Sequence, residues 1–347
     1  MVCTECVRRK GEQPCGELLI DTLNVDEQHA GVTLVCCFSR PVLVPYFFDA
    51  FSKLQMPRSE IHLLLYDNTD LPLLEQALLD AVRPLVSQFK SVRLYKSYLT
   101  GHGSISGSGN EIFANSVLFN IWDMWKRAKD MIYTPEFVQF EDDTIPPVNA
   151  FQALMNTLQD NENAGMVTAI ATGRQPLPWV PVRLGVHFLK MEDQGGAYKF
   201  RILERHSCSP DLEGLQEVDG SGVYCFAART EAYKTGFDGY DPNMHSVPFY
   251  GMDNVFTWNI KNHGYQIIAD FSLWCEHLHV SPARMIAFSK NQAVEMVDVW
   301  LPQYNSYAEG IEVKAPGAAP RAYRVKEHAR TWEIGDDAPI EEQPPTS

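Results

Sequence analysis

Through its first half the chain alternates short apolar blocks with stretches of helical periodicity. Val32 to Phe38 is a near-continuous apolar run, the pattern of a parallel strand covered on both faces. Residues 43 to 55 carry helix-like spacing and stop near Pro57. Ile61 to Tyr66 is a second buried strand ending at Asp67-Asn68, and Leu71 to about Val82 reads as a helix with Pro72 near its start. Val92 to Tyr95 is a short third strand. A glycine-serine loop, Gly101 to Gly109, leads into a long helix from Asn110 to about Lys129, with Phe113, Val117, Ile121, Trp122 and Trp125 at helical spacing. Phe137 to Phe140 is the fourth strand. This alternation predicts an α/β fold with a mostly parallel central sheet flanked by helices and right-handed crossovers.

The second half follows another rhythm. Gly165 to Ile170 and Val223 to Ala228 read as strands, 252 to 262 as a helix, Tyr265 to Ala269 as a strand and 285 to 300 as a helix. Residues 173 to 215 are rich in turn formers, with short β-like runs at Val186 to Leu189 and Tyr198 to Phe200. From about Gly310 the chain is rich in Pro, Ala, Glu and Asp, and a disordered or loosely packed tail is expected. The expected organisation is a cysteine-containing extension over 1–30, a main domain over 31–280, and a C-terminal helix and tail over 281–347.

Charge and composition narrow the function. The 347 residues carry a formal charge of −15, which disfavours non-specific binding to phosphate backbones. No run of eighteen apolar residues predicts a membrane-spanning helix. Met1 to Gly16 lacks the apolar core of a signal peptide, so a reducing, cytoplasmic location is expected. Cys36, Cys37 and Cys225 lie in apolar runs and read as buried thiols. Cys3, Cys6 and Cys15 have C-x2-C-x8-C spacing, which leaves two readings: a structural zinc completed by His29 or a distant cysteine, or a frayed reduced terminus.

The motif with most chemical content is Glu141-Asp142-Asp143, at the end of the fourth strand and followed by Pro146-Pro147. Adjacent acids at the mouth of a buried strand raise one another's pKa. A hard divalent cation such as Mn2+ or Mg2+ relieves that conflict, and ligands of open α/β sheets bind at the carboxyl ends of strands. Asp67 ends the second strand on the same edge, where it suits either hydrogen bonds from a base or ribose, or an Asx turn. The glycine loop matches neither the dinucleotide fingerprint nor a P-loop and reads as a mobile loop over a site or a linker. Asp219-Gly-Ser-Gly allows close backbone approach to a ligand or makes a simple turn. Asp253, opening a helix after Gly251-Met252, suits a helix cap as well as a functional acid. His277 and His279 follow Trp274-Cys-Glu, and a neutral imidazole suits a manganese-type ion beside carboxylates.

In order, these motifs resemble the nucleotide-sugar glycosyltransferases of GT-A (Rossmann-like) fold, nearest to the inverting family-two type, over roughly residues 31 to 280. Val32 to Phe38 followed by Ser39-Arg40-Pro41 is similar to that family's first strand and basic residue. Leu63-Leu-Leu-Tyr-Asp67-Asn68 is similar to its second strand, whose aspartate contacts the base. Asn115 falls on the helix that carries an Arg-Asn pair near the diphosphate, with Ala114 in place of the arginine. Glu141-Asp142-Asp143 stands at the Asp-x-Asp metal motif. Glu217-Val-Asp219-Gly220-Ser-Gly222 resembles the segment that shapes the sugar and acceptor pocket. Gly251-Met252-Asp253 resembles the Gly-Glu-Asp segment, with Met252 for the glutamate.

The resemblance implies transfer of a sugar from a nucleotide-sugar to an acceptor hydroxyl with inversion, a smaller mixed acceptor-side region, and Asp253 as base. It implies Asp143, His277 and Glu141 at the metal, Asp142 at the ribose or sugar, and Arg40, Asp67, Asn68, Asn115, Asp219, Gly220 and Gly222 around the nucleotide-sugar. Met252, Trp258 and Trp179 would lie on the acceptor side. The acceptor, whether a glycan, a lipid-linked sugar, a protein or a modified DNA base, is left open, as is a retaining outcome. Two other functions stay open: a nucleotidyltransferase of the same fold class, and an inactive module that binds sugar-nucleotides or glycans. The first normally has a basic glycine-rich loop where Ser39-Arg40-Pro41 stands.

Overall fold

The computed structural model describes residues 16–39, 43–68, 72–97, 122, 124–171, 186–187, 189–193, 198–202, 213–238, 252–277, 279–280 and 299–300. For residues 73, 187, 189–193, 198–202, 252, 254, 276–277, 279–280 and 299–300 only the backbone is described.

The first four predicted strands are present as β2 (Val32–Phe38), β3 (Ile61–Asp67), β4 (Ser91–Ser97) and β5 (Glu136–Glu141). They follow β1 (Gly16–Asp21) and pair in parallel, β4 with β3, β3 with β2, and β2 with β5. Beyond β5 lie β13 (Cys225–Arg229), β7 (Ala164–Ile170), β14 (Gln266–Trp274) and β11 (Leu215–Val218), giving the nine-strand order β1-β4-β3-β2-β5-β13-β7-β14-β11. Strands β2, β3, β4, β5, β7 and β14 run one way, while β1, β13 and β11 run against them. The sheet is therefore mixed but mostly parallel in direction, as the alternation of strands and helices predicts.

Side chains alternate between its two faces. One face buries Leu34, Leu63 and Phe140 against Phe47 and Phe51 of α1 (Val44–Ser52), Leu74 and Leu78 of α2 (Pro72–Val82), and Leu154 and Leu158 of α4 (Ala150–Asp160). The other buries Val35, Leu64, Phe137 and Phe226 against Trp122, Trp125 of α3 (residues 124–130), Tyr233 of α5 (Thr230–Thr235), and Phe256 and Ile260 of α6 (Met252–Asn262). The inner strands β2, β3, β13 and β7 are covered above and below, which is why their sequences read as near-continuous apolar blocks. No helix among the described residues is long and apolar enough to cross a membrane.

Smaller two-stranded pairings lie apart from the central sheet. The ribbon β8 (Val186–His187) pairs with β12 (Gly220–Ser221), and β9 (Leu189–Asp193) forms a hairpin with β10 (Tyr198–Ile202). Several elements depart from the sequence reading, among them Leu215–Val218 and Thr230–Thr235, which it did not expect, and three more. Gly16–Asp21, before the predicted start of regular structure, forms the edge strand β1 antiparallel to β4. Helix α4 was not expected, although Phe151, Leu154, Met155 and Leu158 follow helical spacing and are all buried. Val299 and Trp300, assigned by pattern to the end of a helix, form β17 and pair with β16 (His279–Val280) instead. β-Branched and aromatic residues favour a strand once a partner edge is present. Residues 285–298 of that expected helix lie outside the described residues, as do the glycine loop and the tail.

Tyr224 locks the middle of the sheet. Its hydroxyl donates to Ala169 O at 2.9 Å and accepts from Ala171 N at 3.0 Å, and its carbonyl accepts from Glu141 N at 2.9 Å. Tyr224→Phe strands the buried Ala171 amide and leaves Ala169 O with only Thr168 Oγ1, at 3.0 Å, as a side-chain donor, so a loss of about 1–3 kcal/mol is expected. Urea unfolding measures it, and an unchanged midpoint would remove the hydroxyl from the account of this corner.

Candidate functional site

Strands β2 to β5 all end on one edge of the sheet. Asp67 stands opposite Phe38, and Cys37 opposite Glu141, so the two acidic strand ends flank the end of β2. Asn68 N donates to Phe38 O at 2.9 Å and Asp142 N to Cys37 O at 3.1 Å. The Asp142 carboxylate returns the connection: its Oδ2 accepts from Ser39 N at 2.7 Å and from Ser39 Oγ at 3.5 Å. Asp142 and Asp143 are each 2% exposed, while Glu141 is half-buried. A carboxylate this buried needs donors, and the backbone turning out of β2 supplies one.

The late histidine folds back onto this corner. Strand β14 runs to Trp274, and Cys275 N donates to Ile170 O at 2.7 Å. The chain then forms β15 (Glu276–His277), antiparallel to β6 (Thr144–Ile145), with His277 directly opposite Thr144. Segments more than 130 positions apart in sequence thereby meet one residue away from Asp143. Thr144 is fully buried, and its Oγ1 makes no hydrogen bond among the described residues. A buried hydroxyl without a partner is uncommon and asks for a ligand.

The field at this corner is negative. Burial pushes the Cys37 thiol well above its usual range, and Glu141, Cys36 and Asp142 push it further. The Tyr233 hydroxyl is likewise raised by burial, then by Cys37 and Glu141. Carboxylate oxygens and an unsatisfied hydroxyl in a negative field suit a hard divalent cation. Among the described residues no group of three or more His, Cys, Asp or Glu side chains is arranged as a metal cluster; the imidazole of His277 is not among the described side chains.

Two lysines that sequence reasoning missed hold other predicted acids. Asp67 is fully buried, with Lys96 Nζ 3.0 Å from its Oδ2; the same ammonium reaches Glu75 Oε2 at 3.1 Å. The signal was a lysine ending a buried parallel strand, in register with Asp67. Asp219 receives Lys261 Nζ at 2.6 Å. Gly220 stands opposite His187, and Ser221 Oγ donates to Thr168 Oγ1 at 3.0 Å. Gly222 precedes Val223, whose carbonyl accepts from Gln139 Nε2 at 3.2 Å, so the glycine segment runs beside the end of β5. Asp253 is half-buried in the first turn of α6, where its carbonyl accepts from Thr257 Oγ1 at 2.8 Å; Trp258 is half-buried on the same helix. Arg40, Asn115, Trp179, Cys3, Cys6 and Cys15 lie outside the described residues, as does the side chain of Met252.

No protein-family model matches the chain, and no curated protein does. Among solved structures, it is similar to the mannosyltransferase PcManGT of Pyrobaculum calidifontis, in complex with GDP-Man and Mn2+, at 12% identity and a TM-score of 0.43 over 71% of this chain and 56% of that one. It is also similar to TarS of S. aureus, at 12% identity and a TM-score of 0.41 over 69% of this chain and 35% of that one. For residues 1–349 of TarS the values are 10% and 0.41, over 69% and 57%. The chain thus spans less than two thirds of the length of each.

The Ser39 bond to Asp142 gives a test of the corner. Asp142→Ala leaves Ser39 N without its acceptor and is expected to destabilise by about 1.5–3 kcal/mol, the range for a hydrogen bond to a charged group. Asp142→Asn keeps an acceptor oxygen and should lose less than half of that. Equal losses in chemical denaturation would mean that charge, not the bond to Ser39, holds the turn.

Proposed function

We propose that this chain is a metal-dependent glycosyltransferase that moves a sugar from a nucleotide-sugar to an acceptor hydroxyl with inversion. The observation that carries this reading is the pairing of His277 with Thr144, which draws the C-terminal histidine segment to the acid triplet on the carboxyl edge of the sheet. Ligands of open α/β sheets bind at that edge. The glycines at 220 and 222 run beside the same edge, and their lack of side chains suits close approach of a sugar.

Asp143 and His277 would hold Mn2+ or Mg2+, with Glu141 beside them and Thr144 Oγ1 available to the ion or to its water. When bound, the cation supplies Lewis-acid stabilisation of the charge that develops on the departing diphosphate. The chain's own groups perform the rest. Asp67, paired with Lys96 at the end of β3, is assigned to the base or ribose by the sequence resemblance, as is Asn68 beside it. Arg40 and Asn115 are assigned to the nucleotide-sugar by the sequence resemblance. Asp142 fixes the turn at Ser39 that leads to Arg40.

Asp253 is the proposed base. The first turn of a helix is a favourable place for a carboxylate's charge. In the transfer, the acceptor oxygen bonds to the anomeric carbon while the bond from that carbon to the diphosphate oxygen breaks. The bonding pair leaves with the nucleoside diphosphate, and the acceptor's proton passes to Asp253. Met252, Trp258 and Trp179 are assigned to the acceptor side.

Two measurements test this. Asp253→Asn should lower turnover about 100- to 10,000-fold, the span of general-base catalysis, while nucleotide-sugar binding survives; wild-type turnover would remove Asp253 as base. In isothermal titration with a nucleotide-sugar and Mn2+, Asp143→Ala should lose the metal-dependent part of binding. An unchanged isotherm would dissociate Asp143 from the ion.

A further inference from the structure

The Lys261 side chain ends in an arrangement that neither the sequence motifs nor the proposed chemistry explains. Its ammonium lies 2.6 Å from Asp219 Oδ1, 3.2 Å from Glu217 Oε1 and 3.2 Å from Val218 O. Three successive residues thus each present one oxygen to a single nitrogen that has three N–H donors. The target is a corner of the fold. Leu215–Val218 is the edge strand of the central sheet, and Gly220–Ser221 belongs to the small ribbon with Val186–His187, so Asp219 is the residue at which the chain leaves one and enters the other. The lysine comes from the last turn of α6, the helix whose first turn holds Asp253.

We infer that Asp219 acts as a positioning residue, clasping α6 to this corner through Lys261, and does not itself touch the sugar. The inference rests on the proposed transferase reading for the role of α6, but the clasp itself is a matter of structure. Phe256 and Ile260 bury one face of α6 in the core beside Tyr233, and Asn259 Nδ2 donates to Gly236 O at 3.0 Å from the same stretch, while Lys261 adds a grip on a different part of the fold. A directional three-point grip at the C-terminal turn limits sliding along the axis. Sliding would carry Asp253 with it, because a helix moves as a rod. The cation sits where the helix dipole favours positive charge, and both carboxylates lie opposite it. Lys261 is 21% exposed and Asp219 29%, so the pair is only partly screened by water. The same geometry makes Asp219 a poor donor-sugar ligand, because contact with a sugar hydroxyl would compete with the shortest of the three contacts.

The test uses the full chain and four forms: wild type, Asp219→Asn, Lys261→Met and Lys261→Arg. Amide hydrogen exchange over residues 252–262 reports the helix without reference to catalysis. Asp219→Asn and Lys261→Met should each speed exchange there about tenfold, and Lys261→Arg, which keeps the cation, should return it to within about threefold of wild type. With a nucleotide-sugar and Mn2+, both disruptive variants should lower kcat about tenfold or more with the donor KM held within twofold, since a displacement of about 1 Å at a reacting group can cost a hundredfold in rate. Unchanged exchange in both variants would overturn the clasp. A tenfold rise in donor KM for Asp219→Asn but not for Lys261→Met would overturn it in favour of direct sugar contact. If wild type binds no nucleotide-sugar, the transferase reading fails and the exchange results still decide the clasp.

Discussion

A carboxylate taken out of water at the tip of a strand must be given donors, and the acid corner of this molecule is built around that requirement. Asp142 meets it by accepting from the backbone and hydroxyl of Ser39, while its own amide donates to Cys37. The exchange ties the ends of β2 and β5 into one turn. It also places the backbone of Glu141 and Asp143, which flank the residue that is held. Without donors the buried charge would carry an unfavourable desolvation term of several kcal/mol, and the corner would open toward water.

Other strand-end acids are handled differently. Asp67 is fully buried and has an ammonium at 3.0 Å from a lysine that is itself 5% exposed. Breaking such a pair leaves a buried charge behind and is strongly destabilising. The Lys53–Asp49 pair, at 2.7 Å but 60% and 68% exposed, is shorter and yet matters less, because water screens it and competes for both partners. Distance alone therefore misranks the ion pairs of this chain, and burial ranks them correctly. Asp219 falls between: its lysine is part-buried and carries a second carboxylate and a backbone carbonyl as well.

The sequence made the parallel half of the sheet legible because doubly covered strands leave a strong mark. Val32–Phe38, Ile61–Asp67 and Glu136–Glu141 bury residues on both faces of the sheet, and turn formers follow each of them. Edge strand β1 left little mark, since its burial is patchy and Glu17 and Asp21 interrupt it. Strand direction was also illegible: Cys225–Arg229 reads as apolar as its neighbours, yet it runs antiparallel between β5 and β7. The acid triplet could be picked out from charge and position. Lys96 showed only as a lysine ending a buried strand and Lys261 not at all, because their partners lie across the fold, 29 and 42 positions away in the chain.

The reversal of β13 is what lets distant motifs meet. Because it runs against β5, its first residue, Cys225, lies opposite Phe140, so the segment 219–224 that feeds it must arrive at the acid edge. Because β14 runs with β7, its last residue, Trp274, lies opposite Ile170, and the chain leaves the sheet at that same edge with His277 three residues on. Two strands of opposite direction thus deliver one segment as it enters the sheet and another as it leaves. The convergence of the glycine segment, the acid triplet and the late histidine follows from strand polarity and register. A slip of one residue between β13 and β5 would turn Phe226 and Cys225 to the wrong faces and empty both cores at once, so packing guards the register on which the site depends.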